Sequence, residues 1–111
     1  IGPSIEWLYE AIHQGYDKNI CFVKFEDLTT NPEKELKRIY NYLELPYYNH
    51  DFNNVEQMTI ENDVIHGIFG DHKIERQIRP VKENYNEILG KDNADRLRMH
   101  YDWFYKRFNY V

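Results

Sequence analysis

With 111 residues, of which 41% are hydrophobic and 16% aromatic, the chain has enough apolar side chains for one compact domain or a piece of a larger one, which argues against disorder. Its formal net charge of −5 argues against a protein that coats nucleic acid, but is compatible with a local basic patch for a phosphorylated small molecule. No apolar run is long enough for a membrane span, and the single cysteine, Cys21, is typical of a reducing compartment, so we predict a cytoplasmic protein.

The first predicted element is a helix that opens at Gly2-Pro3-Ser4, because proline suits the first turn of a helix. Its apolar side chains recur at the i, i+3, i+4 and i+7 spacing of a helix face: Ile5, Leu8, Tyr9 and Ile12. Gly15 is the predicted stop.

The next predicted element is a strand at about residues 20–25, with the sequence ICFVKF. Both of its faces are apolar, which is typical of a strand covered on both sides in a parallel sheet. A lone strand leaves its backbone unpaired, and the chain offers no second convincing strand. We therefore expect an α/β fold whose other strands precede Ile1, and the missing initiator Met suggests a processed, truncated or partial chain.

A second helix is predicted with Asn31 as N-cap, Pro32 as first residue and Pro46 as terminator. Its buried face is expected to be Leu36, Ile39, Tyr40 and Leu43. From Tyr47 to Arg79 no periodicity is sustained, and a segment of this length is usually functional or disordered.

Two helices are predicted in the remainder of the chain. The first is short and ends at Gly90, and its apolar positions are Val81, Tyr85, Ile88 and Leu89. The second begins near Asp92 or Asn93, and its apolar face is Leu97, Tyr101, Phe104 and Phe108.

The order of these elements and their motifs resembles the C-terminal half of the sulfotransferase family. The first three motifs are Phe25-Glu26-Asp27-Leu28 after the strand, Asn31-Pro32 before the amphipathic helix, and Tyr42-Leu43-Glu44-Leu45-Pro46 at its end. Four later stretches are similar to a bacterial branch of that family: residues 50–57 (HDFNNVEQ), His66-Gly67, residues 70–74 (GDHKI) and Ile88-Leu89-Gly90. The resemblance runs from about Ile5 to the last helix, and it depends on the order and spacing of the motifs together.

The resemblance implies an α/β fold akin to nucleotide kinases, of which residues 1–111 would be the mostly helical C-terminal part of a single domain. It implies transfer of a sulfuryl group from 3′-phosphoadenosine 5′-phosphosulfate (PAPS) to an acceptor hydroxyl or amine, without a metal. The phosphosulfate loop would lie upstream, since none of the five glycines begins a phosphate-binding loop. The resemblance leads us to expect the general base upstream as well. We therefore expect this segment alone to be inactive, and to associate with the missing N-terminal part or a second copy, with a small molecule or glycan as acceptor.

The resemblance also places two parts of a nucleotide site. Phe25 stands where the family usually has a tyrosine against the adenine, and the alternative is a core residue at the end of a strand. A basic segment that closes over the 3′-phosphate in the family corresponds here to cations at every third position, Lys73, Arg76, Arg79 and Lys82. Glu75 stands where the related branch carries arginine, and Arg76 is the expected replacement. The alternative for these cations is a solvated charge run, and no catalytic residue is predicted.

Other residues suggest rival functions. Glu26 and Asp27 resemble an acid–base pair, but neighbouring side chains on a strand point to opposite faces, so we expect them to bond to backbone N–H groups or an arginine. A metal-dependent phosphohydrolase would use the histidine and aspartate side chains of the long segment, His50, Asp51, His66, Asp71 and His72, although they lack a ligand spacing. A non-catalytic, mostly helical interaction module is the third alternative, and it would need the Cys21 strand to be paired across a symmetric interface.

Overall fold

The computed structural model describes residues 2–58, 74–82 and 84–110, and all regular secondary structure in those ranges is helical. The helices are α1 (Gly2–His13), a 3₁₀ turn (Tyr16–Asn19), α2 (Phe25–Thr30), α3 (Pro32–Tyr42), α4 (Tyr85–Leu89), α5 (Lys91–His100) and α6 (Asp102–Arg107). The chain divides into two compact units, Ile1–Pro80 and Val81–Val111. Among the described residues, no helix has both the length and the apolar character to cross a membrane.

Helix α1 ends as its sequence predicts. The N–H groups of Gln14 and Gly15 donate to the carbonyls of Glu10 and Ile12, at 2.9 and 3.0 Å. Gly15 then takes a left-handed conformation with φ 80° and ψ 15°, which a residue without a Cβ adopts at little cost. The predicted glycine stop is therefore confirmed.

The α/β prediction, with a strand at residues 20–25, is wrong. The backbone is extended at Ile20 (φ −117°, ψ 123°) and Lys24 (φ −83°, ψ 131°), but no β-ladder forms anywhere in the described ranges. A strand is defined by its pairing, which a local apolar pattern does not guarantee. Phe25 itself is the first residue of α2.

Helix α2 covers the FEDLTT sequence. Glu26 and Asp27 lie in its first turn, where acidic side chains complement the positive end of the helix dipole. The Thr29 hydroxyl donates back to the Phe25 carbonyl at 2.9 Å, within the same helix. The two acids therefore follow the extended segment on a helix rather than ending a strand.

Helix α3 begins at Pro32, as predicted, with Asn31 in the N-cap position but without a side-chain capping bond. It ends at Tyr42, four residues before Pro46. Glu44 adopts a left-handed φ of 56°, and the Leu45 N–H donates to the Tyr40 carbonyl at 3.0 Å. Leu43 therefore lies outside the helix and is 54% exposed, contrary to its predicted burial.

In the second unit, α4 ends at Gly90 as predicted, with φ 76° and ψ 149°. The single last helix that the sequence predicts is two helices, α5 and α6, separated by Tyr101 at φ −108° and ψ 31°. The Phe104 ring contacts Phe108 and Tyr110, with ring centroids 4.9 and 5.9 Å apart.

Few residues in the described ranges are buried, and no large side chain there is fully buried. Ala94 is the one buried hydrophobic residue there, and Thr29 and Glu35 are the buried polar ones. Large apolar side chains such as Trp7, Ile88 and Met99 are 70% exposed or more. The compact core that the composition predicts is not formed by the described residues.

Candidate functional site

The predicted phosphate-binding arginine Arg76 lies in the first unit, where residues 74–78 are hydrogen-bonded to residues 52–57. The Val55 N–H donates to the Arg76 carbonyl at 2.8 Å, and the Ile78 N–H donates to the Phe52 carbonyl at 3.0 Å. The Ile74 N–H donates to the side-chain oxygen of Gln57 at 3.3 Å. These bonds hold the backbone around Arg76 against residues 52–57.

Beside this pairing is a cavity of about 590 Å³ that Arg76 and Ile74 line together with residues 54–57. Its lining residues include Asn54 and Gln57, which carry amides, and Glu56, which carries a carboxylate. Within the described residues, the Arg76 side chain makes no ion pair or hydrogen bond. Its guanidinium is therefore available to an anion, whereas Glu56 adds one opposing charge to the same wall.

The other predicted basic residues differ from Arg76. Arg79 Nη2 lies 3.1 Å from Glu75 Oε2, and both side chains are more than two-thirds exposed. Lys82 is exposed, and Lys73 lies outside the described residues. Residues 74–82 contain no helix, so the three-residue spacing does not place these cations on one helix face.

Phe25 is 59% exposed at the start of α2, so its ring is not a core residue within the described part of the chain. A ring in this state can offer a face to a planar ligand. The described structure shows no hydrogen bond, ion pair or ring contact between Phe25 and either Arg76 or Arg79. Among the described residues, the two halves of the predicted nucleotide site are therefore not in direct contact.

The segment that leads to Phe25 is held by Arg38, a residue that the motifs did not indicate. Arg38 Nε and Nη2 donate to Glu35 Oε2 at 2.9 and 2.8 Å, and Nη2 also donates to the Phe22 carbonyl at 2.7 Å. Arg38 Nη1 lies 3.4 Å from Cys21 Sγ. The hydrogen bond that Arg38 donates to Glu35 is the main reason why the pKa of Arg38 is raised, since it favours the charged guanidinium.

The sequence signal for this contact was the i, i+3 spacing of Glu35 and Arg38, which places the two side chains on one face of α3. The Phe22 carbonyl, 16 residues earlier, has no such signal. Through these bonds α3 fixes the extended segment, and so the start of α2 at Phe25.

His50 belongs to an aromatic cluster. Its Nε2 lies 3.0 Å from the hydroxyl oxygen of Tyr40. The ring centroids of Tyr47, Tyr48 and Phe52 lie 4.9–6.1 Å from the centroid of the imidazole. Among the described residues there is no group of three potential metal ligands, and His66, Asp71 and His72 fall outside them. The observed role of His50 is therefore packing and hydrogen bonding.

Comparison with known proteins gives one match. The family model of the sulfotransferase domain matches residues 1–88 of the 111, which includes both Phe25 and Arg76. No curated protein and no solved structure matches the chain. The resemblance that the motifs indicated is confirmed at the level of the family.

Proposed function

The chain belongs to the sulfotransferase domain family, and from that membership we propose that it is part of an enzyme that transfers a sulfuryl group from PAPS to an acceptor hydroxyl or amine. The observation that carries the proposal is the family match, which spans α1, α2, α3 and the Arg76 cavity. In the proposed reaction the acceptor oxygen or nitrogen attacks sulfur as the bond from sulfur to the phosphate oxygen breaks. Adenosine 3′,5′-bisphosphate leaves, and the acceptor loses its proton.

Such a transfer depends on positioning and on stabilising the charge of the leaving nucleotide. Arg76 fits the role of a 3′-phosphate ligand, since its guanidinium lines a cavity and has no carboxylate partner in the described structure. Arg79 would take the same role only if its ion pair with Glu75 broke. That ion pair is weak, because both side chains are exposed. Lys73 is proposed as a third phosphate ligand on the resemblance alone.

Phe25 is proposed as the residue that stacks on adenine. Its exposed ring supports this role, and the hydroxyl of the family's usual tyrosine is absent. Arg38 contributes indirectly, because it holds the Phe22 carbonyl three residues before Phe25. The general base is not assigned to a residue of this chain. The acceptor class, the cytoplasmic location and the association with an N-terminal part or second copy remain predictions.

The test is calorimetric binding of adenosine 3′,5′-bisphosphate and adenosine 5′-monophosphate to this chain and to a version extended upstream. Arg76→Met should weaken bisphosphate binding tenfold or more, a magnitude of ~1.4 kcal/mol or above, and leave the monophosphate almost unchanged. Phe25→Leu should weaken both nucleotides. Arg96→Met is the matched control, because Arg96 is exposed and lies beyond the family match.

Two results would contradict the proposal. If the extended chain is folded but binds neither nucleotide, it has no site for the sulfuryl donor. If Arg76→Met weakens the binding of both nucleotides equally, Arg76 does not bind the 3′-phosphate.

A further inference from the structure

The second unit contains a separate cavity of about 260 Å³, lined by α4, α5 and α6. Most of its wall comes from residues after position 88, where the family match ends. The cavity therefore lies mostly outside the part of the chain that the family match covers, and ligand binding there would be independent of the proposed sulfotransferase activity.

Of the three charged residues that line this cavity, two form an ion pair and the third is an arginine. Lys91 Nζ and Asp95 Oδ2 form an ion pair at 2.9 Å, and its hydrogen bond raises the pKa of Lys91. Arg98 follows Asp95 by three residues and also lines the cavity, but within the described ranges it makes no ion pair and no hydrogen bond. The lining thus carries a net single positive charge, which favours a monoanion.

Aromatic rings accompany that cation. The Arg98 guanidinium carbon lies 5.9 Å from the centroid of the Tyr105 ring, and Tyr85 also lines the cavity. A guanidinium beside an aromatic ring keeps N–H groups at its edge, which match the two oxygens of a carboxylate. The rings and the Ala94 methyl supply apolar surface for a planar body, and the Asn86 amide supplies a polar group.

The volume restricts the size of the ligand. A cavity of about 260 Å³ corresponds to about nine water molecules in the liquid, below the usual range for drug-sized ligands. One ring with one charged group is the size that suits it. We propose that this cavity binds a small aromatic carboxylate, with the carboxylate on Arg98 and the ring between Tyr85 and Tyr105.

The experiment titrates the whole chain with benzoate, acetate and benzyl alcohol, followed by amide chemical shifts of α5 and α6. Benzoate supplies ring and charge, whereas acetate lacks the ring and benzyl alcohol lacks the charge. We expect benzoate to bind at least tenfold more tightly than either. Arg98→Met should weaken benzoate about tenfold or more and leave benzyl alcohol unchanged, because it removes only the charge-assisted hydrogen bonds.

Arg96→Met is the matched control, since Arg96 lies on the same helix but does not line the cavity. Arg98→Lys keeps the positive charge but lacks the planar guanidinium, so we expect its affinity for benzoate to lie between those of the unchanged chain and Arg98→Met. If Arg98→Met is poorly folded, Arg98→Lys is the variant that tests the role of Arg98. The proposal is overturned if benzoate fails to bind up to about 10 mM. It is also overturned if acetate binds as well as benzoate, if Arg96→Met weakens benzoate as much as Arg98→Met, or if Arg98→Lys leaves benzoate binding unchanged.

Discussion

Replacing Arg38 with methionine should destabilise the first unit by removing the bonds that hold the extended segment to α3. The guanidinium makes two hydrogen bonds to Glu35 Oε2, at 2.8 and 2.9 Å, and one to the Phe22 carbonyl at 2.7 Å. Methionine keeps much of the apolar stem of arginine, so the change isolates these polar contacts. It also leaves Glu35, which is only 8% exposed, without its partner.

The magnitude follows from burial and screening. Removing one partner of a fully buried ion pair costs about 3–5 kcal/mol, and a hydrogen bond to a charged group is worth about 1.5–3 kcal/mol. The Arg38 side chain is 45% exposed, so water screens part of the interaction. We therefore expect the free energy of unfolding to fall by about 2 kcal/mol.

The assay is urea unfolding followed by circular dichroism, in a double-mutant cycle of Arg38→Met with Glu35→Gln. The coupling energy should be about 1 kcal/mol or more, since the two side chains are direct partners. Lys37→Met is the control on the same helix, because Lys37 pairs with Glu33 at 2.6 Å in an exposed i, i+4 arrangement. A loss in Arg38→Met no larger than that in Lys37→Met, or a coupling near zero, would refute the reasoning.

Three further predictions concern single residues. Tyr47→Phe should raise the free energy of unfolding by about 1 kcal/mol in urea titrations, because the buried Tyr47 hydroxyl has no hydrogen-bond partner among the described residues; a loss would contradict this. Gly90→Ala should lower the free energy of unfolding by about 1–3 kcal/mol, because φ 76° and ψ 149° strain any residue with a Cβ. No atom lies within 4 Å of the added Cβ, so the cost comes from the backbone alone. An unchanged melting curve would argue against this strain. The hydrogen bond to Glu33 raises the pKa of Lys37 above 10.5. The ion pair of Lys37 with Glu33 therefore stabilises the fold fully below pH 10.5, and this contribution is lost as the pH rises through the raised pKa. The stability difference between the chain and Lys37→Met should shrink over that range, and a constant difference would oppose the assignment.

The helix boundaries show how far local signals reach. Gly15, Pro32 and Gly90 each mark a boundary where the sequence places it, because a glycine at positive φ or a proline in the first turn acts through its own backbone. Helix α2 was missed because its six residues, FEDLTT, are too short for an apolar period. The break at Tyr101 was missed because the apolar spacing continues across it.

The strand and the site needed more than local signals. The backbone is extended at Ile20 and Lys24, as the β-branched and aromatic side chains of this segment favour, but a strand also requires a partner, which the pattern does not contain. The spacing of the cations and the family resemblance suggested Arg76 as a phosphate ligand, and this stays a prediction. The backbone hydrogen bond between Val55 and Arg76 joins residues 21 positions apart, so no local signal indicates it. Whether Phe25 and Arg76 bind one nucleotide stays a prediction, because no described contact joins them.

The helices in closest contact are neighbours along the chain: α1 with the 3₁₀ turn, α2 with α3, α4 with α5, and α5 with α6. Closing such short connections costs little loop entropy before the contact is gained. Proteins with mostly local contacts fold in microseconds to milliseconds, and their transition states need few distant encounters. Each helix pair of this chain is therefore expected to form early and quickly, which would let α3 place Arg38 against the Phe22 carbonyl as soon as the two segments emerge together from the ribosome.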